Sequence, residues 1–467
     1  MLRSKAKFYF QKIKENYLDK AFICSNTFDH EKAIKNYQKL LILENSKEKI
    51  EYYLYQILYL LIFTNTESFP TKKYKKLLHK VTSKILKINN IKKKNKDNNQ
   101  FKNNKIVHVG FICHFFSKRI SKNYLWNIFR NLDKNKFKIF IYSDDHKVFG
   151  KKLLDDHDWE LFTKENFFYD TSDKNFDSFT KLLSNHNLDI LFELNGHTHF
   201  SRFKELSQRL AKKQVTTWNI RGPSGFDFMD FCLIYRNTDT SEISNLFSEK
   251  FINFDGFRPN YLKKYPEVSN EKPVCFKKNF ITFGYFGATS KITNKIFECW
   301  IEILRKVENS KILLKSEIFA NQKIKEEIEK KFLLKGIDLG RVIIEKNEDW
   351  DNYIKKYKEI DLLFSSFPHN FGTTFIDSLT MGVPVIDLYS KKRLSSQTGK
   401  RYLEMIELEE FVVNSYTEYV NKYVELANNK ERLLYYKKTL REKIYKSELN
   451  FKNSLNDFEK ALEEILK

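Results

Sequence analysis

The sequence predicts an α/β protein with two consecutive doubly wound, Rossmann-like domains, preceded by a small all-helical region. From Val107 onward, short apolar runs alternate with helical segments, which is the pattern of a parallel sheet with right-handed crossovers. This alternation pauses from Phe254 to Pro273 and then restarts. The residues up to Ile88 show only helical periodicity. A second sheet is therefore expected after the pause, and helices alone before the first sheet.

The N-terminal region, residues 1–90, is expected to resemble a tetratricopeptide hairpin of two helices. Ala33, Tyr37 and Leu40 fall on one face of the segment KAIKNYQKLLIL, although a generic helical cap explains this pattern equally well. One hairpin cannot bury its apolar faces alone, so it should pack on the neighbouring domain. Residues 91–105 are rich in Lys and Asn and are expected to form a polar linker.

The first α/β half is predicted over residues 106–265. It should begin with a strand over Val107 to Cys113 (VHVGFIC) and a helix near Ser121 to Leu132. The elements predicted after it are strand Phe137 to Ser143, helix Asp173 to Ser184, strand Leu188 to Leu194, a helix from about Arg202 and strand Gln214 to Ile220.

The second α/β half is predicted over residues 274–467 and ends in a charged helical tail after Tyr416. Its predicted strands are Phe280 to Phe286, Lys311 to Lys315, Arg341 to Glu345, Ile360 to Ser366 and Val383 to Leu388. Two such halves with a helical tail are the outline of a GT-B glycosyltransferase. In that architecture the ligand lies in a cleft that faces the carboxyl edges of both sheets.

A glycine-threonine-threonine turn lies between the last two predicted strands. Asn370 and Gly372 belong to a loop, and Thr373 and Thr374 open a short helix that Gly382 ends. Free N–H groups and the helix dipole favour an anion at such a helix start, and Gly372 lets a ligand approach the backbone. The motif therefore predicts a site for a nucleotide or a nucleotide-sugar.

A histidine follows the strand predicted at Leu188 to Leu194. His197 lies in the segment NGHTH, where it could accept the acceptor's proton or orient the sugar, with His199 two residues later. The alternative interpretation is that this histidine is a buried residue with a purely structural role. A tight loop on the acceptor side, expected to form the floor of the cleft, is predicted at Gly222, Pro223 and Ser224.

Composition limits the compartment and the partners. The formal net charge of +23 attracts anions, but lysines on solvated faces explain it as well, and no specific nucleic-acid motif accompanies it. The five cysteines are scattered without a CxxC pair, as expected of buried thiols in a reducing cytoplasm. No signal core is found, and the apolar run from Tyr52 to Thr64 is too short to span a bilayer. A cytoplasmic protein is therefore expected.

Six segments in order resemble the O-GlcNAc transferase family, with its SPINDLY-type O-fucosyltransferases and cytoplasmic bacterial N-glycosyltransferases. The resemblance extends over about Lys105 to Leu426. The matching segments are VHVGFICHFF, DILFELNGHTHFSR, RGPSGFDFMDF, ITFGYFGATSKIT, ILLKS and DLLFSSFPHNFGTTFIDSLTMGVPV.

The resemblance implies transfer of a sugar, of the UDP-GlcNAc type, to a Ser or Thr side chain of a protein. It implies no metal and no cofactor besides the nucleotide-sugar. Lys291 matches the lysine that contacts the diphosphate, as a compact cation can. Tyr353 aligns with a position that packs on the base, and Asp377 with a carboxylate near the ribose. Core packing and helix-dipole compensation, respectively, are the alternative interpretations of the last two.

The segment after the first strand departs from the family. After the first strand, many relatives have an aspartate and then a histidine proposed for catalysis, whereas Phe115 and Arg119 stand here. Arg119 is expected on the acceptor side of the cleft.

Two alternatives therefore stay open. One is a transferase that acts on Asn, on a glycan or on another small acceptor. The other is a catalytically weak nucleotide-sugar-binding protein. The donor could be UDP-GlcNAc, UDP-glucose or GDP-fucose, and the oligomeric state is unknown.

Overall fold

The chain divides into two compact units in the computed structural model. The first unit contains residues 1–46, 60–71 and 261–449, and the second contains 47–59, 72–260 and 450–467. Each unit thus combines a sheet with part of the N-terminal helices. The structure describes residues 2–67, 69–93, 101–102, 104–114, 116, 125–144, 164, 167–198, 200–217, 222–255, 265–268, 270–447 and 451–467, without the side chains of 2–10, 127 and 451–454.

The N-terminal region is helical. Its helices are α1 (Leu2–Asn26), α2 (His30–Leu43), α3 (Lys47–Leu61) and α4 (Thr71–Ile88). Helix α2 starts at a capping aspartate, since the side chain of Asp29 accepts a hydrogen bond from the backbone N–H of Lys32. The three residues predicted on its buried face, Ala33, Tyr37 and Leu40, are buried.

The first sheet is wholly parallel and has the strand order β3-β2-β1-β4-β5-β6-β7. Its strands are β1 (Val107–Cys113), β2 (Phe137–Ser143), β3 (Phe167–Asp170), β4 (Leu188–Glu193), β5 (Ala211–Thr216), β6 (Phe231–Tyr235) and β7 (Lys250–Phe254). The helices between these strands along the chain are α5 (Asn127–Asn131), α6 (Phe176–Ser184) and α7 (Phe203–Leu206). The strands predicted for β1 and β2 match residue for residue, whereas β3, β6 and β7 were not predicted.

The second sheet is also parallel, with the order β10-β9-β8-β11. Its strands are β8 (Ile281–Phe286), β9 (Ser310–Lys315), β10 (Val342–Glu345) and β11 (Leu362–Leu363), and Val385 bridges to Leu363. A separate pair is formed by β12 (Asp387–Leu388) and β13 (Val412–Val413). The strands predicted over Ile360 to Ser366 and Val383 to Leu388 are thus far shorter than expected.

Helices alternate with the strands of the second sheet and continue after it. They are α8 (Cys275–Lys278), α9 (Asn294–Lys306), α10 (Gln322–Leu334), α11 (Trp350–Lys355), α12 (Thr373–Thr380), α13 (Thr398–Glu404), α14 (Tyr416–Ala427), α15 (Lys430–Lys446) and α16 (Phe451–Leu466). The last helix, α16, belongs to the second unit, where Phe458 packs on Phe111 and Phe192 of the first sheet. The helical tail after Tyr416 is confirmed.

The five cysteines are buried and free, as the sequence predicts. Across the described part of the chain, no helix is both long and apolar enough to cross a membrane.

Candidate functional site

Both sheets have a topological switch point, where the chain order of the strands reverses. In the second sheet this point lies between β8 and β11, and in the first sheet between β1 and β4. Ligands of open α/β sheets bind at the carboxyl ends of the strands beside such a point. Five predicted site residues each follow one of these four strands and lie in the same unit as that strand: His197, Lys291, Gly372, Thr373 and Thr374.

The loop after β11 leads into helix α12. Gly372 is its N-cap, and Gly372, Thr373 and Thr374 are half-buried while Phe371 and Phe375 beside them are buried. The N–H of Phe375 donates to the Gly372 carbonyl at 3.1 Å. The N–H groups of Thr373 and Thr374 have no acceptor one turn earlier in the helix, so they can bind an anion. At the other end, Lys437 and Arg441 of α15 donate hydrogen bonds to carbonyls of the last turn, with Nζ–O and Nε–O distances of 3.0 and 2.9 Å. Cations at the carboxyl end complement the helix dipole.

Lys291 lies beside this loop. It ends a short 3-10 turn, Thr289–Lys291, that follows β8, and its side chain is half-buried. Its Nζ is 5.6 Å from the ring centroid of Phe371, the residue before Gly372. A Cβ added at Gly287 would lie 2.6 Å from the same ring, so the glycine permits this close packing. The structure thus brings the predicted cation next to the predicted phosphate loop.

Asn370 anchors the loop from the inside. It is fully buried, and its Nδ2 donates to Asp387 Oδ1 at 2.6 Å and to the Ser396 carbonyl at 3.2 Å. Its backbone N–H donates to the Ser395 carbonyl at 3.1 Å. Burial raises the pKa of Asp387 to about 8, so this carboxyl is protonated at neutral pH. The Nδ2 group of Asn370 therefore holds the loop in place, and contact of this residue with a nucleotide-sugar remains a prediction.

Tyr353 lies at the carboxyl end of β8. Its hydroxyl donates to the Phe286 carbonyl at 3.4 Å, and its ring is 5.9 Å from that of Phe286 and 5.8 Å from that of Trp350. The ring is half-buried, so core packing uses one part of it and leaves another part accessible to a ligand.

Asp377 is buried in α12 and accepts a hydrogen bond from the hydroxyl of Tyr265. It does not lie in the first turn of the helix, so the alternative interpretation as compensation of the helix dipole is wrong. Tyr265, which the sequence analysis missed, is the partner that orients this carboxylate.

In the second unit, an asparagine connects the carboxyl ends of β1 and β4. The Oδ1 of Asn195, just after β4, accepts hydrogen bonds from the backbone N–H of His114 at 2.8 Å and from its ring at 2.7 Å. His114 follows β1, and its ring stacks on Phe200 at 4.5 Å. The segment NGHTH is therefore fixed directly to the neighbouring strand end.

His197 is buried, with 2% of its surface exposed. Its Nε2 donates to the Pro223 carbonyl at 3.1 Å, and no described group bonds to its Nδ1. Burial lowers the pKa of this imidazole to about 4, so the ring is neutral at pH 7. A neutral ring that donates from Nε2 has a lone pair on Nδ1, which can accept a proton or a hydrogen bond.

Glu193 is a buried acid that the sequence analysis did not single out. It ends β4, and its carboxyl accepts hydrogen bonds from the backbone N–H groups of Gly196 at 2.8 Å and Arg202 at 3.4 Å. Burial raises its pKa to about 8. Glu193 thus closes the loop that carries His197. Its place at the end of a buried strand is the signal that could have found it.

The loop predicted at Gly222, Pro223 and Ser224 is buried. The backbone N–H of Ser224 donates to Glu249 Oε1 at 2.8 Å, while the Pro223 carbonyl accepts the hydrogen bond from His197 Nε2. The structure therefore brings this loop together with NGHTH. Asp230, close to it in sequence, forms an ion pair with Arg209 at 2.5 Å.

Three residues of interest, Phe115, Arg119 and His199, lie outside the described residues. The expectations for Arg119 and His199 on the acceptor side remain predictions.

A match to a protein-family model shows which family the chain belongs to. The model of glycosyl transferase family 41 matches residues 25–257 and 262–458. The chain belongs to glycosyl transferase family 41. The resemblance to the O-GlcNAc transferase family is thereby confirmed, and the family is one of glycosyltransferases.

Plant relatives of this family match part of the chain. A probable UDP-N-acetylglucosamine–peptide N-acetylglucosaminyltransferase SPINDLY from Hordeum vulgare is 30% identical over 268 residues, which cover 56% of this chain and 28% of the relative. The protein of the same name from Arabidopsis thaliana is 24% identical over 346 residues, which cover 72% of this chain and 36% of the relative. The chain thus spans about a third of the length of the curated relatives it matches.

Solved structures show the same fold. A mutant O-GlcNAc transferase from Thermobaculum terrenum aligns with a TM-score of 0.70 at 14% identity, and the alignment covers 98% of both chains. A sucrose-phosphate synthase from Thermosynechococcus elongatus aligns with a TM-score of 0.52 at 12% identity over 77% of this chain and 99% of that one. The predicted GT-B fold class is confirmed.

Proposed function

We propose that this family 41 member transfers a sugar from a nucleotide-sugar, of the UDP-GlcNAc type, to a Ser or Thr side chain of a protein. The observation that carries the proposal is the switch point between β8 and β11. There Lys291 Nζ lies 5.6 Å from the ring of Phe371, next to the open start of α12 at Gly372.

This switch point can stabilise a leaving diphosphate. Glycosyl transfer breaks the bond between the anomeric carbon and a phosphate oxygen, and negative charge grows on that phosphate. A lysine and helix-end N–H groups that are already oriented can compensate this charge. They can take the place that a divalent metal has in other transferases, and we propose that no metal or other cofactor is needed.

The nucleoside would contact residues on the same side of the sheet. Tyr353 presents a half-buried ring at the end of β8, which could pack on the base. Asp377, held by Tyr265, could accept hydrogen bonds from the ribose hydroxyls. These two roles are part of the proposal.

The acceptor side is assigned to the loop of His197. A neutral imidazole with its lone pair on Nδ1 can accept the proton of an incoming hydroxyl, or orient it. The names of the SPINDLY relatives specify a peptide acceptor, which supports a protein as the substrate. The free, buried thiols support a reducing compartment such as the cytoplasm.

The test is turnover of nucleotide-sugars by the purified chain. UDP-GlcNAc, UDP-glucose and GDP-fucose are incubated with the protein, release of the nucleoside diphosphate is measured, and proteins of the expression host are searched by mass spectrometry for added sugars. The proposal expects diphosphate release with one of these donors and the corresponding mass on Ser or Thr. Modified Asn or a modified glycan would favour the alternative acceptors. Binding of a nucleoside diphosphate without any turnover would favour a binding protein.

A further inference from the structure

The corner between α1 and α2 contacts the turn that carries Lys291, within the same unit. The side chain of Asn26 accepts a hydrogen bond from Thr289 Oγ1 at 3.3 Å. The carbonyl of Phe28 accepts one from the backbone N–H of Asn294 at 3.1 Å. The N-terminal hairpin therefore holds the chain on both sides of Lys291.

His30 adds a third contact to the same turn. Its imidazole is 3% exposed, and the backbone of Ser290 is close enough to oppose the effect of burial on the pKa of the ring. Burial lowers that pKa to about 4, so the ring packs here without a charge at neutral pH. The contact falls on the residue directly before Lys291.

Phe28 adopts an unusual backbone conformation at this corner. Its φ of 75° lies in the left-handed region, which a bulky side chain rarely adopts. The ring is held by packing on α9, with its centroid 5.1 Å from that of Phe297, and Lys331 Nζ lies 5.7 Å from the centroid of the Phe28 ring. Such strain persists only where the surroundings enforce it, and it is concentrated at functional sites.

The corner also reaches the phosphate loop through one intermediate ring. The ring of His30 is 6.0 Å from that of Phe63, which in turn is 5.1 Å from the ring of His369. His369 precedes Asn370 in the loop that leads to Gly372. The hairpin thus packs against both strand ends of this switch point.

We infer that Asn26, Phe28 and His30 form a positioning element of the nucleotide-sugar site, an inference that rests on the proposed function. Lysine is a point charge on a flexible four-carbon chain, and the 3-10 turn that carries it has only three residues. Contacts at Thr289, Ser290 and Asn294 would restrain the backbone of this turn, so that less freedom is lost when a diphosphate binds. The N-terminal hairpin would then contribute to donor affinity without touching the donor.

The test compares two substitutions of the same kind. Thr289→Val removes the hydroxyl that donates to Asn26. Thr27→Val, the matched control, removes a hydroxyl of the same corner that donates only to the Ile23 carbonyl of α1, at 2.8 Å. Thr289→Ser restores the donor, and His30→Phe keeps an aromatic ring beside Ser290 but removes the ring nitrogens. UDP and GDP are titrated calorimetrically into each variant, and the melting temperature is recorded alongside.

The inference expects the Kd of the nucleoside diphosphate to rise roughly five- to tenfold in Thr289→Val and His30→Phe. Thr289→Ser and Thr27→Val should bind like the wild type, although Thr27→Val should lose as much thermal stability as Thr289→Val. Unchanged affinity in Thr289→Val and His30→Phe, together with weak binding by Lys291→Ala, would overturn the inference alone. A wild-type chain that binds neither UDP nor GDP would overturn the proposed function and this inference with it.

Discussion

The two switch points of this molecule share a topology but differ in electrostatics. Beside β8 and β11, the groups at the strand ends are Lys291, a helix start and half-buried threonines. Beside β1 and β4, they are a buried neutral imidazole and a buried carboxyl whose pKa is raised to about 8. The first arrangement suits an anion, and the second suits a hydrogen-bonded hydroxyl. One architecture, used twice, can thus serve the two partners of a transfer reaction.

The loops at the two switch points are also held in place by different contacts. The phosphate loop is supported by side chains that contact its backbone and by cations at the far end of α12, Lys437 and Arg441. The His197 loop is closed from below by Glu193, which accepts from two of its backbone N–H groups. Substitutions can therefore be chosen that affect one site and leave the other unchanged.

The largest effect is expected for Lys291→Ala. Loss of a positioned charge at the leaving phosphate should reduce kcat/KM for donor turnover by about 10²- to 10³-fold. The matched control is Lys295→Ala, since Lys295 Nζ also lies over an aromatic ring, 5.3 Å from that of Tyr416, and has no role in the proposal. Steady-state release of the nucleoside diphosphate measures both variants. Equal losses in the two would contradict the special role of Lys291.

Replacement of His197 should affect the acceptor side. His197→Phe removes the proton-accepting lone pair and should lower kcat for transfer by about 10²-fold, with donor affinity unchanged. The wild-type pH profile offers a second check. Because the pKa of His197 is lowered to about 4, its protonation should reduce the rate only near pH 4 and below. An acidic limb near pH 6.5 that disappears in the variant would show that the imidazole is accessible to solvent in the working enzyme.

A smaller effect, on stability, is expected for Gly399→Ala. An added Cβ would lie 2.0 Å from Asp387 Oδ1, the atom that accepts the hydrogen bond from Asn370 Nδ2. The clash should displace the carboxyl that anchors the phosphate loop and cost about 1–3 kcal/mol of unfolding free energy. Urea denaturation measures this cost. Stability equal to that of the wild type would show that the Asp387 side chain can move without loss.

The last prediction concerns Glu193 and the pH dependence of stability. Between about pH 4.3, its ordinary pKa, and pH 8, the folded chain keeps a proton on Glu193 that the unfolded chain releases. This carboxyl therefore lowers stability as pH rises through that window, by at most about 1.4 kcal/mol per pH unit. Glu193→Gln removes the titration, so its melting temperature relative to the wild type should increase from pH 5 to pH 8. The control is Asp227→Asn, the same change from carboxyl to amide at a side chain that is 66% exposed.

Much of the fold follows from patterns along the chain. Buried parallel strands such as β1 and β2 are continuous apolar runs between polar segments, and their predicted bounds match the structure. Strand β7 was not predicted because Lys250 and Asn253 are exposed in it, which breaks the apolar run. Strand β11 is shorter than its apolar run because its bonding to β8 ends at the N–H of Phe364, which donates to the Gly284 carbonyl, and side chains take over some of the backbone groups. There the hydroxyl of Tyr423 donates to the Leu363 carbonyl and accepts from the Ser365 N–H.

The candidate site is predictable only in part. Lys291 and the turn at Gly372 to Thr374 were found because a helix start and a family motif coincide in the sequence. Glu193 and Asp387 were missed since a buried, protonated acid has the same letter as an acid on the surface, and Tyr265 was missed since nothing along the chain marks its partner. Their roles depend on contacts between distant segments, such as Tyr265 with Asp377.

The most direct test of the central claim is the affinity of the nucleoside diphosphate in three proteins. UDP or GDP, whichever the wild type binds, is titrated calorimetrically into the wild type, Lys291→Ala and His197→Phe, with the phosphate-free nucleoside as a reference ligand. The account predicts that Lys291→Ala binds the diphosphate about tenfold or more weakly, that His197→Phe binds it like the wild type, and that the nucleoside binds weakly to all three. Equal affinity for the nucleoside and the diphosphate, or a loss in His197→Phe but not in Lys291→Ala, would contradict it.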